Sequence, residues 1–177
     1  MRSEIKNVVA PMLITLVILI VLEVFATSLL PVFGVKQFIL PFNIAVVLFF
    51  GFRFQTPYLP VFILIVQYFH SFFTVEGWEP GTIAGIAVCI VISYLRDLIH
   101  FSSAAATMIV TQIFQTFWFV VVSGLIYMRM GDVTYIVDKF WRFVPESIVI
   151  SLLSPFLFMI FEKVWSMSEG GLLGDEL

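Results

Sequence analysis

Glu23 is the one carboxylate set well inside a long apolar stretch, with Thr27 one helical turn further on. Holding a charge at that depth costs about 3 kcal/mol or more unless it is protonated, paired or hydrated, so the position is a candidate proton or substrate site. No Lys or Arg inside an apolar segment offers it a partner, and a structural or partner-contact role is the expectation. Beyond Glu23 the chain holds little of what catalysis needs. His70 and His100 are not at metal-ligand spacing, and there is no HExxH, GxSxG or glycine-rich phosphate loop. Both histidines read as polar residues at a membrane edge. The single cysteine, Cys89, lies in an apolar run, which excludes an intramolecular disulfide and a cysteine-based metal cluster. The expectation is a protein without enzymatic activity, cofactor or metal.

The remaining polar residues are of the kind that join helices. Thr107, Thr111, Gln112, Gln115 and Thr116 occupy about half the circumference of one apolar segment, where they can bond across helices, line a cavity or meet a partner. Asn43 and Gln67 are further insertions of this type. Gly81, Gly85, Cys89 and Ser93 recur every fourth residue and align small side chains on one helix face, which lets another helix approach closely. Ser147, Ser151, Ser154 and Pro155 form a similar face. Both stripes are candidates for helix packing or partner contact.

These residues must be carried by membrane-spanning helices. Hydrophobic residues make up 61% of the 177, charged residues 12%, and the mean hydropathy is +1.10; soluble domains carry about 25% charge. A net charge of -3 with no basic run excludes nucleic acid as a partner. The charged start of the chain resembles a signal peptide, but its apolar stretch is too long and lacks a clear cleavage site, so residues 8–30 read as a retained helix. Further apolar segments cover 41–52, 59–73, 82–95, 104–128 and 147–161, of which 41–52 and 59–73 are short enough to form a re-entrant hairpin instead of two spans. The fold expected is an all-α integral membrane protein, one transmembrane domain over 1–177 built as a bundle of about six helices.

Six spans place both ends on one side. With those ends in the cytoplasm, Arg2, Lys6, Arg53, Arg96 and Lys163 lie inside, against Lys36, Arg129, Lys139 and Arg142 outside. The outer trio at 129–142 stands among Asp132, Asp138 and Glu146, and the pair flanking the first helix favours cytoplasmic termini. Between the fifth and sixth segments, GDVTYIVDKFWRFVPE spaces Ile136, Phe140, Phe143 and Val144 as one helical face, the pattern of an interfacial helix with Tyr135 and Trp141 at headgroup level. Arg96 and Asp97 are expected to form a solvated edge pair.

The order of these segments, the run PGTIAGIAVCIVISYLRDLIHFSS at 80–103, and the closing VPESIVISLLSPFLFMIFEKV at 144–164 resemble the rod-shape-determining MreD family. Pro145, Ser147, Ser151, Pro155 and Lys163 carry the closing part of the likeness. The family commonly has a glycine-rich third span ending in aspartate; here His70 stands near that place and no glycine precedes Gly77 in FILIVQYFHSFFTVEGWEPG. The resemblance implies a multi-pass protein of the bacterial inner membrane with a fold similar to the S components of energy-coupling-factor transporters. It further implies an assembly factor of the cell-elongation machinery for peptidoglycan synthesis, with an MreC-like membrane protein and other elongation components as partners and no small-molecule ligand. The alternative is an S component binding a vitamin-type solute, with Gln112, Gln115 and aromatic residues lining its pocket. LITLVILIVLEVFA in the first helix lacks the small-residue stripe typical of S components.

Overall fold

The computed structural model describes residues 2–29, 31–32, 38–54, 56–96 and 103–166, and the described residues are helical with short connections. The helices are α1 (Arg2–Leu29), α2 (Phe42–Arg53), α3 (Leu59–His70), α4 (Glu79–Leu95), α5 (Ala104–Met130) and α6 (Val133–Ser166), with a short 3-10 turn at Ser71–Phe73 after α3. Three stretches are long and apolar enough to cross a membrane: Val8–Ser28, Ala104–Met130 and Val133–Ser166. The other three helices are apolar but shorter, and α2, at 12 residues, rises only about 18 Å.

The centre of the bundle is α2. Every residue from Phe42 to Phe52 is buried, and all five other helices pack against it. A helix apolar on all sides is one enclosed by protein or lipid, and here the enclosure is protein. Around its C-terminal half Phe49, Phe50 and Phe54 meet Phe158, Phe161 and Trp165 at ring separations of 4.4–5.7 Å. The last carbonyls of α2 have no partner within the helix; the Arg96 guanidinium donates to those of Gly51 and Phe54. Arg53, at the same end, pairs with Glu162 of α6. Asp97 and His100 lie outside the described residues.

The segment expected as a separate interfacial helix before the sixth span is instead the first third of α6, which runs unbroken through Pro145 and Pro155. Two features permit this. Gly131 ends α5 in the left-handed conformation (φ 68°), donating its N–H to Tyr127, and Asp132 then accepts from the N–H of Thr134, so one helix stops and the next starts within two residues. Pro155 has no N–H for the Ser151 carbonyl four residues back; the Ser154 hydroxyl donates to that oxygen at 2.8 Å.

Apolar side chains also cover the outside. On α1, Leu13, Val17, Val21 and Val24 fall on one outward stripe and are each about half exposed, as a lipid-facing or partner-facing surface requires.

Candidate functional site

A cavity of about 260 Å³ opens at one end of the bundle. Its walls come from the C-terminal portions of α3 and α5 and the N-terminal portions of α2, α4 and α6, the set that alternating up-and-down helices bring to one end. The Arg53–Glu162 pair marks the other end.

The floor is polar. Asn43 Nδ2 of α2 donates to Gln67 Oε1 of α3 at 3.1 Å, and both residues are buried, at 3% and 1% exposure. Asn43 Oδ1 and Gln67 Nε2 have no hydrogen-bond partner among the described residues. Gly81 makes room for this pair: a Cβ there would stand 2.3 Å from Gln67 Oε1, so a side chain at 81 would displace the amide from its present position. Beside the amides, His70 also faces the cavity, and behind it Glu23 of α1 is fully buried with Oε1 2.8 Å from His70 Nδ1. The carboxylate within the apolar α1 therefore has a partner, a histidine at the end of α3, and His70 is a packed residue with 13% of its side chain exposed.

Charged groups stand at the mouth. Lys139 Nζ lies 2.5 and 2.6 Å from the two oxygens of Glu76, and the Tyr135 hydroxyl donates to the same carboxylate at 3.1 Å. These three link the α3–α4 connection to the first turns of α6, so the amphipathic segment acts as a wall of the cavity. Glu146 accepts from the Ile39 N–H at 2.9 Å and holds the approach to α2 against α6. Trp118, Phe119 and Phe143 supply apolar wall, with Phe119 and Phe143 stacked at 4.4 Å. Among the described residues no group of three or more His, Cys, Asp or Glu side chains is placed to hold a metal ion.

The other residues singled out in the sequence lie elsewhere. Gln112 donates to the Ser147 hydroxyl at 3.0 Å and accepts from Ser151 at 2.8 Å, while Gln115 donates to Ser151 at 3.0 Å. The two glutamines join α5 to α6 and do not line the cavity. Gly85 packs inside the bundle, where a Cβ would meet Ile63 at 2.6 Å and Trp118 at 3.1 Å. Cys89 faces α2, its thiol 3.9 Å from the Val47 carbonyl oxygen, whereas Ser93 is exposed and bonds back to the Ile90 carbonyl. Pro155 is half-buried within α6.

Glu76, Lys139 and Tyr135 were not singled out as a group by sequence reasoning. The spacing of Tyr135 and Lys139, one helical turn apart, was the available signal, but the partner carboxylate comes from a turn 59 residues earlier. No family model, curated protein or solved structure matches this chain.

Proposed function

We propose that the chain is a six-span, non-enzymatic assembly component of the bacterial inner membrane, of the MreD type, serving the cell-elongation machinery with both termini in the cytoplasm. One observation carries the reading: the residues bearing the resemblance act as one structural unit. Ser147 and Ser151 clasp α5 through Gln112 and Gln115, Pro145 and Pro155 lie in the same continuous helix, and Lys163 sits in its last turn. The alternating helix directions at the cavity support six crossings, with α2, α3 and α4 as short spans completed by their neighbours. The outward apolar stripe of α1 supports a lateral contact with a membrane partner such as an MreC-like protein.

Depletion in the native bacterium tests this reading. Rounded or widened cells, with an MreC-like protein co-purifying from native membrane, are the expected outcome; unchanged shape and no such partner would overturn it. The cavity favours a second reading, a solute-binding membrane component resembling an S component, because convergent polar groups on an apolar wall are what a ligand site requires. Under that reading depletion leaves cell shape intact and a solute survives purification.

A further inference from the structure

We propose that the cavity binds a zwitterion, a primary ammonium and an anionic oxygen group close together on an apolar body, with Arg142 and Glu146 as its two anchors. The charge inventory carries this. Of the charged side chains lining the cavity one pair is already spent, with Lys139 Nζ 2.5 and 2.6 Å from the Glu76 oxygens. The other two, Arg142 and Glu146, make no ion pair among the described residues, with each other or with any third group. Arg142 is exposed and uses Nε alone, on the Asp138 carbonyl at 3.4 Å, which leaves both terminal nitrogens free to donate. Glu146 uses Oε1 on the Ile39 N–H, and its Oε2 has no protein partner yet keeps accessible surface. The anchoring atoms are therefore open, in contrast to the unpartnered amide atoms of the floor, which are sealed.

The arrangement narrows the class. Arg142 and Glu146 stand four residues apart on α6, so their Cβ atoms are neighbours on one face, about 6 Å apart. A singly charged molecule between them is attracted by one and repelled by the other, whereas a molecule carrying both charges gains a charge-assisted hydrogen bond at each. Phe143 and Trp118 supply apolar wall for the body of the ligand. At about 260 Å³ the cavity lies at the small end of ligand sites, which suits a solute of amino-acid size. A free α-amino acid with an apolar side chain and the headgroup of an aminophospholipid share this chemistry. As a solute site it rests on the solute-binding reading, and the two fail separately: a solute of another class surviving purification would sustain that reading without this site.

The probes are L-leucine, 3-methylbutylamine, which lacks the carboxylate, and 4-methylpentanoate, which lacks the ammonium. Each is presented at millimolar concentration and neutral pH to the full-length protein in phosphatidylcholine nanodiscs, and saturation-transfer NMR reads contact with the protein against empty nanodiscs. Expected is a leucine signal at least threefold above that of either analogue, reduced at least threefold in Arg142→Gln and in Glu146→Gln, the latter keeping an oxygen for the Ile39 N–H. Replacing a third of the lipid by phosphatidylethanolamine separates the two sources: an unchanged leucine signal assigns the site to a free amino acid, and a loss of at least threefold assigns it to the lipid headgroup. Equal signals from the three probes, or none from leucine above empty nanodiscs, would overturn the proposal and leave the two charges to solvent. Because the probe comparison is made on the unaltered protein, it decides the matter even where a variant fails to fold.

Discussion

Glu23 on α1 and His70 at the end of α3 meet as a buried acid–imidazole pair, Oε1 to Nδ1 2.8 Å, across 47 residues of sequence. Breaking a buried polar contact from one side leaves the other member unsatisfied, whereas replacing both by apolar groups of similar shape is nearly neutral. Glu23→Gln keeps an oxygen able to accept from the imidazole and is expected to preserve activity and fold, losing under about 1 kcal/mol. Glu23→Leu should lose about 1–3 kcal/mol, and Glu23→Leu with His70→Phe should recover most of it. Thermal unfolding of the purified variants measures these differences. Complete loss of cellular activity in a well-expressed Glu23→Gln would assign the carboxylate a titrating role instead.

Gly85 and Gly124 make a matched contrast. A Cβ at Gly85 would lie 2.6 Å from Ile63 and 3.1 Å from Trp118, but nothing lies within 4 Å of one at Gly124. Gly85→Leu is expected to cost about 1–3 kcal/mol through overpacking. Gly124→Ala should be neutral or stabilising by up to about 1 kcal/mol, from helix propensity alone. Equal melting temperatures for Gly85→Leu and wild type would place the α4 face outside the packed bundle.

The clasp between α5 and α6 should be modest in strength. Interhelical hydrogen bonds in membranes average about 0.6 kcal/mol and reach about 1.7. A double-mutant cycle of Gln112→Ala and Ser151→Ala, read by unfolding, is therefore expected to give a coupling in that range. A coupling indistinguishable from zero would mean that shape complementarity alone holds the two helices.

Topology can be read directly. Reporter fusions at the two termini should give cytoplasmic signals and one inserted at Gly131–Asp132, in the turn between α5 and α6, an external signal. Termini on opposite sides would mean that α2 and α3 together make a single crossing.

Helix identity and order were legible because apolar runs bounded by Pro, Gly and charge mark apolar helices directly. The second run, 41–52, differs from α2 by one residue at each end. What its composition did not convey is enclosure: lipid and protein accept the same apolar surface, and only Asn43 hinted at a protein neighbour. The join at Pro145 was misread for a related reason. Proline followed by a new apolar stretch marks a helix start as readily as a helix interior, and the outcome depends on whether neighbours hold the chain straight. The cavity was the least legible feature. Its floor pairs α2 with α3 and its mouth pairs the α3–α4 connection with α6, and periodicity within one helix carries no information about which face of another it meets.

The enclosure of α2 bears on how the chain is made. An apolar helix of about 18 Å is too short to settle across a bilayer of about 30 Å by hydropathy alone, and the helix that supplies Phe158, Phe161 and Trp165 against it leaves the ribosome about 100 residues after it. Its final depth is therefore assigned by later helices, and a nascent chain halted before α6 carries a buried element without its lid. Such a chain leaves the aromatic face of α2 uncovered, an exposed apolar patch of the kind that favours aggregation.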